Sequence, residues 1–191
     1  MKFGWFRRDP HAATIRGLYG AIVAQARAPT FYAEYGVPDT VSGRFDLIVL
    51  HLALLTRRLR VEPALTRAFG QKVFDLFCAD MDHNLREMGI GDLSVPKHMR
   101  RVAEAFYGRA TAYDAALATA DDAALAAALA RNVFADAAGP PIGAWRLASY
   151  VRAAIDHLAG QAGTAFAQGR LGFPDPCVGD VPLGRREKAT P

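Results

Sequence analysis

The sequence predicts an all-α protein: one helical-bundle-like domain of about five to seven helices, followed by a disordered C-terminal tail. Alanine, the residue with the highest helix propensity, is abundant throughout the chain. Apolar residues recur at helical spacing over most of the length. With 191 residues, of which 51% are hydrophobic and 22% charged, the chain is long enough to bury one core.

The first helix is expected to begin at Asp9, a good N-cap residue, because Pro10 suits the first helical position. Pro29 should end it. Residues 30–41 combine three aromatic side chains with glycine and proline, which favours an ordered aromatic loop over a linker.

A second helix is predicted from about Ser42 to Arg60. It is apolar nearly all round, as is typical of a central, buried helix. Asp46 and His51 are its polar exceptions. A buried carboxylate needs a partner, so we expect a basic residue of another helix to pair with Asp46. We expect His51 to be a core histidine with its hydrogen bonds satisfied.

Further helical stretches follow, each separated from the next by glycine, proline or a capping residue. They are predicted over residues 63–88 with a break near Gly70, 95–117 after a Ser94 cap, 121–138, and 142–168. Residues 169–191 hold glycine, proline and charge without periodicity and are predicted to be a tail that is disordered or draped over the domain. The domain therefore spans residues 1–168.

Residues 1–9 form an N-terminal arm with aromatic and basic side chains. They suit a lipid headgroup region, and the alternative is an arm that packs its rings on the domain. The predicted membrane-surface residues are Phe3, Trp5, Phe6, Arg7 and Arg8. No apolar run reaches the ~18 residues of a membrane span, and the arm is too short and polar for a signal peptide.

The net charge and the cysteines indicate only the broad class of partner and the redox compartment. A net charge of +4 favours an acidic protein, RNA or an anionic membrane as partner without selecting among them. The two cysteines, Cys78 and Cys177, lie far apart in sequence, so we expect no disulfide and a reducing compartment.

Asp80, His83 and Glu87 share one helical face and imitate half of a di-iron site. The second acid–histidine pair that such a site needs is missing from the sequence, as are the HExxH and GxSxG motifs. We therefore predict no metal, no cofactor and no catalytic residue. A helical-bundle metal-dependent enzyme using His51, Asp80 and His83 remains the alternative.

The stretches 73–88 and 95–117 are joined by a short glycine-containing turn and should pack antiparallel. Asp82 can pair with Arg86 four residues later. Asp80 or Asp82 is also expected to reach Arg101 or Arg109 across the helix pair.

Basic side chains could form a surface on these helices, and the candidates are Arg57, Arg58, Arg60, Lys97 and Arg101. This pattern leaves a basic adaptor or RNA-binding module as a second alternative. Tyr107 beside Phe106 indicates an aromatic patch that could accept an apolar peptide.

Three stretches together resemble the ubiquinol–cytochrome c chaperone family. The first, residues 28–40, contains APTFY and GVPDT. The second, residues 43–51, begins GRFDLI and ends in histidine. The third, residues 80–109, begins DMDHNLREMG, continues through GD and VPK, and ends FYGR. The resemblance covers roughly residues 10–165, and its specificity lies in the ordered combination.

The resemblance implies an all-helical, non-enzymatic chaperone that binds newly made cytochrome b and promotes assembly of respiratory complex III. It implies a bacterial member in the cytoplasm or peripheral on the cytoplasmic face of the inner membrane. A second assembly factor and the ribosome are further expected partners, and DNA is not. The candidate client-binding residues are Phe31, Tyr32, Tyr35, Asp46, His51, Asp80, Asp82, His83, Arg86, Lys97, Arg101, Tyr107 and Arg109.

Overall fold

The computed structural model describes residues 10–134 and 139–178. The N-terminal arm and the tail beyond Val178 lie outside these residues. The described parts are helical without a β-strand, which confirms the predicted class. Their helices are α1 (Ala12–Ala26), α2 (Pro29–Ala33), α3 (Val41–Leu59), α4 (Ala64–Glu87), α5 (Val95–Leu117), α6 (Asp122–Leu129), α7 (Ile142–Ala159) and α8 (Gly163–Ala167).

Helix α3 is the centre of the domain, as predicted. Of its 19 residues 12 are buried, and they cover its circumference. Helices α1, α4, α5 and α7 pack around it. Thr40 caps its first turn, because the Thr40 hydroxyl accepts a hydrogen bond from the amide of Gly43.

Helices α4 and α5 pack against each other and against α3, and a short turn joins them. Gly89 has a positive φ of 81°, the conformation that ends a helix, and the amide of Ile90 bonds back to the carbonyl of Leu85. The predicted break near Gly70 is wrong. Gly70 is buried inside α4 where that helix approaches Thr56 and Leu59 of α3.

Two predicted helix limits are also wrong. Helix α1 begins at Ala12, after a turn at Pro10, and Asp9 lies outside the described residues. The last helix divides at Gly160 into α7 and α8. The Arg58 guanidinium lies at that division, where it donates to the carbonyls of Leu158 and Gln161.

The short helix α2 was not predicted, because it contains too few residues to show a helical spacing of apolar side chains. The predicted aromatic loop contains the five-residue helix α2. Helix α6 begins at its predicted cap, Asp121, whose carboxylate accepts from the amide of Ala123. It then widens into a π-helical turn over Ala130–Phe134.

Residues 169–178, which we call the strap, lie across α1 and α2. Gln25 donates to the carbonyl of Pro174 at 2.9 Å, and the Tyr35 hydroxyl donates to the carbonyl of Pro176 at 2.7 Å. The Gln161 amide exchanges two hydrogen bonds of 2.9 Å with the backbone of Gly172. Side chains of the domain therefore hold the backbone of this part of the tail, which is draped over the domain, one of the two predicted forms.

Within residues 10–134 and 139–178, no helix combines the length and the apolar character needed to cross a bilayer.

Substitution of Gly143 by alanine should destabilise the fold. A Cβ atom there would lie 1.8 Å from the carbonyl oxygen of Tyr35, so α7 and the loop after α2 would have to separate. We expect a loss of about 1–3 kcal/mol in the free energy of unfolding, measured by urea denaturation. Gly20→Ala is the matched control, because Gly20 lies in α1 with nothing near its missing Cβ. It should gain about 0.5–1 kcal/mol. Equal stabilities of the two variants would contradict this packing.

Candidate functional site

An open groove of about 250 Å³ lies between α3, α4 and α5, and we call it the aromatic groove. It is lined by Thr56, Arg60, Arg67, Gly70, Gln71, Phe74, Phe106, Tyr107, Ala110 and Thr111. Phe74 and Phe106 are almost buried and form its floor, with ring centroids 4.7 Å apart. The Tyr107 ring lies 5.4 Å from Phe74 and is 55% exposed.

Guanidinium groups border the aromatic groove. Arg60 and Arg57 both bind Asp114 of α5, at 2.5 and 2.8 Å. Burial acts to raise the pKa of Asp114, but the hydrogen bonds from the two guanidiniums outweigh it and lower the pKa. The carboxylate is therefore ionised at neutral pH. Arg67 is exposed, and its guanidinium has no hydrogen bond or ion pair with any described residue. The groove thus offers aromatic surface beside an uncompensated positive charge.

A buried ion pair joins α3 to α5. Arg109 Nη2 lies 2.8 Å from Asp46 Oδ1, and the side chains are 19% and 8% exposed. This confirms the expected basic partner for Asp46. The Arg109 guanidinium also stacks over the Phe45 ring at 5.4 Å. Burial raises the pKa of Asp46 to about 6, against the opposing charge of Arg109, so the carboxylate is still ionised at pH 7.

His51 lies at the centre of the core, as predicted, and is 0% exposed. Its Nδ1 donates to the carbonyl of Leu47 at 2.7 Å, and its Nε2 accepts from the Tyr150 hydroxyl at 2.8 Å. Gln25 donates to the same hydroxyl at 3.0 Å. Burial lowers the pKa of His51 to about 4, so the ring is neutral at pH 7. Both ring nitrogens are engaged, which makes the residue a structural connection between α3 and α7.

The acidic stretch of α4 pairs differently from the prediction. Asp80 accepts from the Tyr19 hydroxyl of α1 at 2.8 Å rather than from α5. Asp82 binds Arg86 at 2.8 Å, which confirms the predicted pair four residues apart, and Arg86 also binds Asp92. The expected pairing of Asp80 or Asp82 with Arg101 or Arg109 is therefore wrong.

His83 is exposed and lies 3.0 Å from Glu87 of its own helix. The candidate metal residues His51, Asp80 and His83 therefore have separate partners. Among the described residues, no three His, Cys, Asp or Glu side chains are grouped as a metal site requires. Lys97 and Arg101 are exposed on α5 without a described ion-pair partner.

The predicted aromatic loop offers less surface than its composition suggested. Phe31 is 0% and Tyr35 5% exposed. The Phe31 ring packs against His51 and Tyr150, and the Tyr35 ring packs edge-on against Phe31. Tyr32 is partly exposed, and its hydroxyl donates to the carbonyl of Ala26. The predicted membrane-surface residues Phe3, Trp5, Phe6, Arg7 and Arg8 lie outside the described residues.

Sequence reasoning missed Arg67 and Phe74 as members of a surface. Both lie on α4, one helical turn from buried residues, and nothing in the spacing says which face borders α5. The available signal was the unpaired charge of Arg67, which has no acidic residue three or four positions away in the sequence.

The comparisons agree on one family. The protein-family model described as ubiquinol-cytochrome C chaperone matches residues 33–173 of this chain. The crystal structure of the Cbp3 homolog from Brucella abortus superposes with a TM-score of 0.82 and 42% identity. It covers 92% of this chain and 97% of that one.

Curated relatives are more distant. Ubiquinol-cytochrome-c reductase complex assembly factor 1 of Xenopus laevis is 26% identical over 141 residues, which are 74% of this chain and 70% of that protein. The human protein has the same identity over 141 residues. The match spans about half of its length, at 47%.

Arg109→Met should destabilise the protein by about 3 kcal/mol at pH 7, because it leaves the Asp46 carboxylate buried without its counter-charge. The measurement is urea denaturation at several pH values. The deficit should shrink as the pH falls towards 5, where Asp46 takes up a proton. The double variant Asp46→Asn/Arg109→Met should be more stable at pH 7 than the single one. If the two lose equal stability, packing of the Arg109 side chain matters rather than its charge.

His51 should make folding sensitive to acid. The unfolded histidine binds a proton near pH 6.5 and the folded one near pH 4, so its contribution is lost as the pH falls through this interval. The loss reaches about 3 kcal/mol at pH 4. Asp46, whose pKa is raised, acts in the opposite direction between pH 6 and 4.

The difference in unfolding free energy between wild type and His51→Gln isolates the histidine, because Asp46 contributes to both proteins. We expect the difference to decrease from pH 7 to pH 4. A difference that does not change with pH would contradict a neutral, buried His51.

Proposed function

This chain belongs to the ubiquinol–cytochrome c chaperone family, and from that premise we propose that it binds newly made cytochrome b and promotes assembly of respiratory complex III. The family is one of assembly chaperones for the ubiquinol–cytochrome c reductase complex. We propose a non-catalytic action, in which the chain holds its client through an exposed surface.

The single observation that carries the proposal is the aromatic groove. Tyr107 is an exposed ring above an apolar floor, and Arg67 supplies an unpaired cation at the edge. An aromatic anchor beside a guanidinium is the combination in which binding energy concentrates at protein interfaces. The groove would take a short segment of the client that carries an apolar side chain and an acidic one.

The groove also lies on three long helices that pack on one another. Its floor is continuous with the core, since the ring centroids of Phe74 and the buried Phe77 lie 6.2 Å apart. A site on rigid elements loses little conformational entropy when a client binds. This favours a preformed client site.

Two observations weigh against the alternatives. A metal-dependent enzyme would need His51, Asp80 and His83 together, and each has a separate partner. An RNA-binding module would need a row of free cations. Many of the basic side chains in this region are instead engaged in ion pairs, and the pairs are Arg57 and Arg60 with Asp114, Arg58 with Glu62, Arg86 with Asp82, Arg100 with Glu104 and Arg109 with Asp46.

We further propose a peripheral position at the cytoplasmic face of the inner membrane, where a membrane-protein client emerges. The predicted arm, residues 1–9, would supply the contact through aromatic and basic side chains. A second assembly factor and the ribosome are proposed as additional partners. They would use surfaces other than the groove, because one small groove accommodates one segment.

Deletion of the gene should reduce the amount of assembled complex III, measured by native gel electrophoresis and by the cytochrome b absorbance of membranes. Restoring the wild-type gene should restore both. Normal assembly in the deleted strain would remove the proposed function, whatever the groove does.

Tyr107→Ala and Arg67→Glu should each weaken capture of cytochrome b roughly tenfold or more when introduced into the deleted strain. The measurement is co-purification of cytochrome b with the tagged protein. Trp145→Ala and Arg16→Glu are matched controls, because Trp145 is another exposed aromatic residue, on α7, and Arg16 is an exposed arginine on α1. Equal capture by all four variants would place the client elsewhere while leaving the family function intact.

A further inference from the structure

A second cavity, the α1–α3 cleft, opens where the end of α1, the short helix α2 and the start of α3 meet. It has a volume of about 540 Å³ and is lined by Arg27, Pro29, Tyr32, Ala33, Asp39 and Arg44. We propose that this cleft binds a phosphate group, carried either by a small organic molecule or by the headgroup of a lipid.

Arg44 is held in the cleft by one of its nitrogens only. Its Nε donates to Asp39 at 2.7 Å, and this contact orients the guanidinium plane. The two terminal nitrogens have no hydrogen-bond partner among the described residues. Four N–H groups of a positioned arginine are therefore available to a ligand.

Arg27 follows the last turn of α1 and is exposed. Its guanidinium makes no hydrogen bond and no ion pair within the described part of the chain. Burial raises the pKa of Tyr32, while the charges of Arg44 and Arg27 oppose the shift. Both guanidiniums line the same cleft and act electrostatically on the same phenol.

The charges of the cleft favour a phosphate over a carboxylate. Two guanidiniums face a single acid, Asp39, which Arg44 already compensates. A phosphate monoester carries about −1.5 to −2 charges and three acceptor oxygens, so it can accept hydrogen bonds from both arginines. A carboxylate has two oxygens and satisfies one guanidinium.

The size and the walls of the cleft indicate that the phosphate has an organic part. A volume of about 540 Å³ lies in the range of small-molecule sites and exceeds what a bare phosphate fills. Pro29, Ala33 and the Tyr32 ring supply apolar wall. The ring is fixed, because the Tyr32 hydroxyl donates to the carbonyl of Ala26 at 2.7 Å.

This inference goes beyond the proposed function. The cleft shares no lining residue with the aromatic groove, which lies between α3, α4 and α5. Loss of phosphate binding would leave client capture untouched, and loss of client capture would leave the cleft intact.

The test uses the full-length protein and three variants: Arg27→Gln, Arg44→Gln and the double variant. Arg16→Gln is the matched control, because it removes the same charge from an exposed position of α1 outside the cleft. All these side chains are exposed, so circular dichroism and thermal unfolding should match wild type. Glycerol 3-phosphate and acetate are titrated by calorimetry at constant ionic strength. Vesicles that contain phosphatidic acid, a lipid whose headgroup is a phosphate monoester, are tested by co-sedimentation.

We expect wild type and Arg16→Gln to bind glycerol 3-phosphate in preference to acetate, and the double variant to lose at least tenfold in affinity. That result supports a soluble organic phosphate as the source. Vesicle binding that depends on Arg27 and Arg44, without binding of glycerol 3-phosphate, supports a lipid headgroup. Equal affinity for acetate, equal binding by all variants, or no binding by wild type to either phosphate source would overturn the proposal.

Discussion

The burial of α3 is the constraint on which the rest of the structure depends. A helix that is covered on all sides cannot leave Asp46 and His51 without partners, because a buried charge or ring nitrogen without a hydrogen bond costs several kcal/mol. Arg109 meets the first requirement from α5, and Tyr150 meets the second from α7. The polar exceptions of the central helix thus determine which helices lie beside it and in what register.

The arginines at the C-terminal end of α3 also fix neighbouring elements. Arg57 binds Asp114 of α5. Arg58 binds Glu62 and donates a hydrogen bond to the carbonyl of Leu158 near the end of α7. Arg58 also stacks over the Phe166 ring of α8 at 5.1 Å. Of the two arginines that line the aromatic groove, Arg60 is thus paired with Asp114, and Arg67 has no partner among the described residues.

The sequence predicted the properties of a single helix well and the contacts between two helices poorly. Periodicity predicted α3 and its buried position, and the cost of an unpaired carboxylate predicted a basic partner for Asp46. The partner of Asp80 was predicted wrongly, since the packing of α1 against α4, which brings Tyr19 to it, leaves no trace in local spacing. The aromatic groove and the α1–α3 cleft could not be predicted from local spacing either, because each combines residues from several segments of the chain. Their unpaired arginines can be recognised only once the structure shows which other charges are paired.

The contact between the two ends of the domain has a consequence for the order of folding during synthesis. The Thr14 hydroxyl donates to the carbonyl of Ala167, and the Phe173 ring of the strap packs 4.9 Å from the His51 ring. Contacts of such sequence separation close late, because the chain between them must first be ordered. The apolar circumference of α3 therefore stays partly uncovered until nearly the whole chain has been translated. During its own translation the chain therefore passes through a stage in which apolar surface is exposed and open to aggregation.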